Sequence, residues 1–394
     1  MTERGGAHTE PGHDSHVTHL AGRELPPEDI VVPEGPTARV RSWPERIVYL
    51  VAGLALFVAA LGLMRRGAEA LIPSLEGSVF TDNATSTLGL GWLGACLVLS
   101  GSPVAASALT LLGGGAIDRT EAFTMLTGSR LGAAFVVLVV GVAYSLRSKG
   151  QGSRRAPVSI GVLALMMTAV VYVPGAIVGW LLLDRGVFDG LDIGTSPELT
   201  SATDSAFGWL VDAIVSVAPS WTLFPVGLGL LLLGFQAFDR VLPAVGSDRL
   251  EHRDEDGGEG DEGWTSRLWP MFLAGCAVTV LTLSVSVSLT LLVPLVAKGH
   301  VRRANTLPYI AGANITTLID TLAAAVLLGN QDAVRVVVAV TLVVTVWTLF
   351  LLVTAYPLLR RILLGLARRI LASNRRLATF AAALLLVPLG LIAV

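Results

Sequence analysis

Apolar runs about as long as a bilayer is thick alternate with short polar breaks along most of the chain, and those breaks delimit the elements. Ile47–Met64, Val158–Leu183, Leu210–Phe238, Val334–Leu359 and Leu377–Val394 each read as one helical span. Two longer apolar blocks, 88–146 and 268–330, stand among them. In the first, Leu88–Leu112 and Glu121–Leu146 flank the break Gly113-Gly114-Gly115; in the second, 268–297 and 304–329 play the same parts. The stretch Arg361–Arg376 is basic and amphipathic and is predicted to lie along the membrane interface. Barrel strands would instead give short alternating segments. The pattern therefore predicts an all-α polytopic membrane protein.

Loop charge orients the spans, since Lys and Arg favour the cytoplasmic side. Loop 147–155 holds Arg147, Lys149, Arg154 and Arg155 without an acid, and 360–376 holds only arginines among its charges, so both are placed in the cytoplasm. The acidic loop 184–207 is placed outside, and the acidic 248–262 loop, one span later, returns to the cytoplasm. Each block must then cross an odd number of times, and the two must run in opposite directions. A block is too long for one span, so it holds either one crossing plus a re-entrant or broken helical hairpin, or three short crossings. Two inverted repeats of this kind are typical of secondary transporters. The organisation read from the sequence is a disordered cytoplasmic tail over 1–45, a first repeat over 46–209, and a second over 210–394 that contains the acidic cytoplasmic loop 239–267. A multi-pass protein of the cell membrane with a cytoplasmic N-terminus follows.

Composition agrees. The chain has 394 residues, 53% of them hydrophobic and 15% charged, against about 25% charged in soluble proteins. Net charge is −2, and nothing suggests a nucleic-acid partner. Residues 1–45 lack the apolar core of a signal peptide. Cys96 and Cys276 sit in apolar segments and read as packing residues; the histidines at 8, 13, 16 and 19 read as solvated tail residues. No HExxH, GxSxG or nucleotide-binding loop is present, so neither enzyme chemistry nor ATP-driven transport is expected.

The candidate chemistry lies inside the blocks. Leu99-Ser100-Gly101-Ser102 in the first is answered 184 residues later by Leu283-Ser284-Val285-Ser286 in the second, and at the same offset Gly115 falls on Gly299, Arg119 on Arg303 and Gly128 on Gly312. Around the second serine step, Thr282 to Thr290 alternates polar and apolar residues, which predicts an unwound stretch rather than a helical stripe. Hydroxyls and freed backbone groups there would ligate a small cation or hold an oxyanion; the competing reading is close helix packing. In the second arms, Gly312-Ala313-Asn314-Ile315-Thr316-Thr317 reads as a helix break, with Gly128-Ser129-Arg130-Leu131-Gly132 as its counterpart. Arg130 at membrane depth costs about 2.5–3.5 kcal/mol on insertion scales, so it calls for a partner or a cavity. It either binds an anion or replaces a cation site, or else forms a structural pair with Asp320 or snorkels.

These residues resemble the sodium-dependent phosphate cotransporters, the type II animal proteins and their bacterial relatives, whose repeats carry Gln-Ser-Ser-Ser and, about thirty residues on, Gly-(Ser/Ala)-Asn-Ile-Gly-Thr-Thr. Val293-Pro294-Leu295-Val296, Gly299, Leu307-Pro308-Tyr309 and Gly312-Ala313-Asn314-Ile315 fall where that family's residues fall. The resemblance implies a symporter of inorganic phosphate with sodium as the coupling ion and no other cofactor. It nominates Ser100 and Ser102 in the first repeat and Ser284, Ser286, Thr290, Asn314 and Thr317 in the second, with sodium near Ser284 and Asn314. This chain differs at Leu99 and Leu283, which replace the glutamines, at Gly101 and Val285, at Thr316, and at Arg130, which replaces the first asparagine. Arg130 would supply fixed positive charge where the family uses a bound cation, favouring anion transport with weaker sodium dependence. A non-transporting membrane scaffold of the same fold is the other reading of these substitutions.

Overall fold

The computed structural model describes residues 43–75, 78, 83–147, 155–190, 205, 208–241, 264–297 and 300–393. Residues 1–42 of the tail expected over 1–45 and most of the acidic loop, 242–263, lie outside the described residues, as do 148–154 and most of 191–207; residues 43–45 already belong to a helix. The described residues are mostly helical and contain no strand, and seven helices are long and apolar enough to cross a membrane. The helices are α1 Trp43–Leu75, α2 Ala84–Val98, α3 Ser102–Gly113, α4 Arg119–Ala133, α5 Phe135–Arg147, α6 Arg155–Asp184, α7 Leu223–Val241, α8 Leu268–Thr282, α9 Val285–Ala297, α10 Thr306–Thr316, α11 Leu318–Leu327, α12 Gln331–Phe350, α13 Tyr356–Leu371 and α14 Asn374–Ile392.

The 184-residue offset is a structural repeat. Residues 84–98 of α2 map onto 268–282, the full extent of α8. Each helix ends on a leucine in the left-handed conformation, Leu99 at φ 58° and Leu283 at φ 48°, and these are the only described non-glycine residues with positive φ. Left-handed leucine is sterically costly, by about 1–2 kcal/mol, yet it occurs twice at equivalent positions. Helix contacts repeat as well. A methyl group on Gly91 would sit 2.0 Å from the Met125 carbonyl oxygen, and one on Gly275 would sit 2.1 Å from that of Tyr309. Gly128 approaches the Leu88 carbonyl as Gly312 approaches that of Phe272. All four partners keep the offset, so only glycine allows this depth of interlock in either repeat.

The directions of the helices follow from which residues meet. Thr87 contacts Thr124 at 2.7 Å and Cys96 contacts Gly132 at 3.9 Å, so α2 and α4 run parallel. Helix α3 must therefore double back between them. At 15 and 12 residues, α2 and α3 are about 22 and 18 Å long, short of a hydrocarbon core of about 30 Å. Their tip lies beside the middle of the α4–α5 span, where a methyl on Gly101 would meet Ala133 and the Ser129 carbonyl at 2.9 Å. The block is thus a re-entrant hairpin followed by one crossing, α4–α5, bent at Ala134. In the second block α8–α9 is the hairpin and α10–α11, interrupted at Thr317, is the crossing.

The two crossings are antiparallel. Arg119, which opens α4, reaches Asp332 just beyond α11, while Arg130 near the end of α4 meets Thr317 at the break between α10 and α11. That is the inversion expected from loop charge. Arg119 also bonds Asp189 beyond α6, which gathers the start of the first block, the loop after α6 and the turn near Asn330 at one end of the molecule. Helices α1 and α7 pack antiparallel beside this core, with Gly67 against Phe224 and Gly53 against Phe238.

Two expectations need correction. Leu210–Phe238 is not one span: 208–215 is helical, the chain turns over 216–219, and a new span begins at Ser220. The break precedes Pro219, which cannot continue a helix. Finally, the alternating stretch after Thr282 is unwound only at Leu283–Ser284. From Val285 it is helical, with Ser288 N–H bonded to the Ser284 carbonyl at 3.0 Å. At membrane depth the backbone has no water to bond, so helix wins over the side-chain pattern.

The basic stretch forms α13, which follows α12 through a π-helical turn, Leu351–Ala355. Its Leu359, Leu363 and Ala367 are buried, while Leu358, Ile362 and Leu366 are exposed.

Candidate functional site

The buried charged residues Arg130 and Asp320 lie at the crossing point of the two antiparallel spans. Arg130 is 2% exposed and is the largest side chain buried this completely. It comes from the last turn of α4 and enters the break between α10 and α11. Its Nη1 donates to Thr317 Oγ1 at 3.0 Å, and its Nη2 donates to Thr321 Oγ1. The Thr321 hydroxyl in turn donates to Asp320 Oδ1 at 2.9 Å. Thr321 thus bridges the guanidinium and the carboxylate, which approach each other directly only to 3.7 Å. Arg130 Nε and Asp320 Oδ2 are both buried and have no hydrogen-bond partner among the described residues.

Helix α6 supplies the third wall. Thr168 Oγ1 lies 3.1 Å from Asn314 Nδ2 and 3.3 Å from Asn314 Oδ1, and the Tyr172 hydroxyl donates to the Asn314 carbonyl at 2.7 Å. That carbonyl lies at the end of α10, where the break at Thr317 interrupts the helical ladder, so the tyrosine satisfies an acceptor the helix leaves open. Arg130 and Asn314 occupy equivalent positions, 184 residues apart, and both turn to the centre.

The candidate residues divide accordingly. Arg130, Thr317 and Asn314 come together. Ser100 and Ser102 flank Gly101 at the first hairpin tip, and it is Gly101 that packs against Ala133 and the Ser129 carbonyl; the side chains of Ser100, Ser102 and Ser286 make no hydrogen bond to another described residue. Ser284 and Thr290 act locally: Ser284 Oγ accepts the Val287 N–H at 3.3 Å, and Thr290 donates to the Val287 carbonyl at 2.9 Å. The residue that fastens the second hairpin is Ser288, which bonds Thr279 at 2.8 Å and contacts the Tyr309 hydroxyl at 3.0 Å.

No family model, characterised protein or solved structure matches this chain.

Sequence reasoning missed Thr168, Tyr172 and Thr321 as members of the cluster. Thr168 and Tyr172 are one helical turn apart in a span that otherwise reads as uniformly apolar, and that i, i+4 pair was the available signal. A pocket of about 540 Å³ also lies between α6 and α12, bounded by Val178, Leu182, Phe188, Val343, Trp347 and Phe350. It offers no polar group to a charged solute.

The arrangement can hold an oxyanion. A guanidinium has five donors in a fixed fork that matches carboxylate and phosphate oxygens. Here two hydroxyls occupy two of its nitrogens, and its formal counter-ion is held at one remove.

Proposed function

We propose that the protein is a secondary transporter of a small inorganic oxyanion, with phosphate as the leading substrate and sodium as the coupling ion that the family resemblance implies. One observation carries the reading: a fixed cation, Arg130, is buried where two inverted spans cross, next in sequence to Ser129, against whose carbonyl the first hairpin tip packs. Inverted repeats that rock about a midplane site give alternating access, and an intramembrane ionisable residue marks a solute path by default. Free hydroxyls at Ser100 and Ser102 would complete the oxygen cage.

A second reading, a non-transporting scaffold of the same fold, draws on the presence of Asp320 next to Arg130. In it the pair is structural and the site is closed for good.

Labelled phosphate uptake into proteoliposomes, with and without a sodium gradient, separates them. Wild type is expected to accumulate phosphate, and the double variant Arg130→Gln/Asp320→Asn, which leaves no lone buried charge, is expected not to. Equal uptake by the two removes Arg130 from the pathway. Absence of wild-type uptake under any gradient, for phosphate and other oxyanions alike, moves the weight to the scaffold.

A further inference from the structure

The Arg130–Asp320 pair is looser than its burial calls for. Charge-assisted hydrogen bonds between nitrogen and carboxylate oxygen are about 2.7–2.9 Å long, and this contact is 3.7 Å. Both charges are almost wholly buried, yet each keeps one polar atom idle, Nε on Arg130 and Oδ2 on Asp320. A pair built for stability would close on itself, since attraction in low dielectric repays desolvation only when geometry is good and every remaining valence is satisfied. Here Thr321 stands between the partners and a free acceptor is left on the acid.

We propose that Asp320 and the transported oxyanion compete for Arg130, and that a proton taken up at Asp320 Oδ2 is what admits the anion. This rests on the reading of Arg130 as the anion-binding residue. With Asp320 ionised, the cluster is neutral and Arg130 is engaged through Thr321. Protonation places hydrogen on Oδ2, leaves the guanidinium charged, and opens its fork to one monoanion. The cluster is neutral again with arginine charged, acid protonated and anion bound. At membrane depth, where a net buried charge is expensive, that exchange keeps the site neutral in both states. In this scheme a proton takes the place of the sodium that the resemblance implies, one for each negative charge admitted.

Nothing else near Asp320 substitutes for this role among the described residues. From α4 it faces Arg130, and from α6 the Tyr172 hydroxyl, which is held by the Asn314 carbonyl. Its own arm adds only Thr317 and Thr321. Helix α3 has no titratable side chain, Tyr309 of α10 is held by Ser288, and the charges of α12, Asp332 and Arg335, lie in its first turns.

The test is equilibrium binding of labelled inorganic phosphate to the purified full chain across pH, in wild type and in Asp320→Asn. Phosphate's own titration affects both alike, so the difference between the curves isolates Asp320. Wild-type affinity is expected to fall by a further tenfold or so per pH unit above the protonation midpoint, relative to the variant. Parallel curves overturn the proposal. Binding that requires sodium and runs parallel in pH overturns it while leaving the anion reading standing, and a lack of phosphate binding in both proteins overturns the two together. If Asp320→Asn does not fold, infrared difference spectra of wild type with and without phosphate serve instead. A protonated-carboxyl band that appears on binding supports proton entry, and its absence refutes it.

Discussion

Helix α6 contains Pro174, which has no N–H to give to the carbonyl four residues earlier, that of Val170. Inside a membrane no water replaces the missing donor. The structure supplies one from another helix: Trp347 Nε1 of α12 donates to the Val170 carbonyl at 3.0 Å. Trp347→Phe removes this donor and keeps a ring to stack on Phe350, whose centroid lies 5.7 Å from that of the indole. Stranding a buried acceptor costs about 1–3 kcal/mol, and hydrogen bonds between membrane helices have measured about 0.6–1.7 kcal/mol. The expected loss is therefore about 1–2 kcal/mol. The same substitution in a Pro174→Ala background should cost under about 0.5 kcal/mol, because that change returns an N–H to the Val170 carbonyl along the helix. Reversible unfolding in mixed micelles, read for the four proteins of this double-mutant cycle, gives the coupling energy. An equal loss from Trp347→Phe in both backgrounds would refute the reasoning, since the indole would then be acting through packing alone.

Two further outcomes test the architecture. Gly128→Ala and Gly312→Ala each drive a methyl into a backbone carbonyl, at 2.1 and 2.2 Å; each should lose about 1–3 kcal/mol of thermal stability, whereas Gly365→Ala, which meets nothing within 4 Å, should be neutral or slightly stabilising, and a tolerated Gly128→Ala would break the repeat argument. Arg130→Met should cost about 3–5 kcal/mol by leaving Asp320 buried alone, while Arg130→Met/Asp320→Leu should recover most of it; denaturation midpoints that show no recovery would mean that the two charges are not energetically coupled.

The repeat was legible because its anchors are chemically distinctive in an apolar alphabet. Two serine steps and a glycine pair at one offset stand out where leucine and valine carry no register. The inversion was legible from arginine and acid counts in the loops, which record the side of the membrane rather than any contact. The exact form of each block was not legible. A re-entrant hairpin and three short crossings share the same parity, and only helix lengths and the seat of the tip beside Ser129 and Ala133 separate them. The serine alternation after Thr282 misled because side-chain pattern is a weaker constraint in lipid than the need to bond every backbone group.

The site divides in the same way. Sequence alone placed Arg130 within an apolar span and offered Asp320 as a partner for it, because an ionisable residue in an apolar span cannot go unpaired cheaply. It also determined that Asn314 and Arg130 are equivalent in the repeat. Tertiary structure decided that α4 meets the break at Thr317, that Thr321 holds the ion pair apart, and that Thr168 and Tyr172 of α6 close the cluster. Those choices depend on which helix faces turn toward each other, and a hydrophobic pattern that is apolar on every side leaves helix rotation unspecified. Close glycine approaches fix that rotation here, and their fit exists only once the helices are packed.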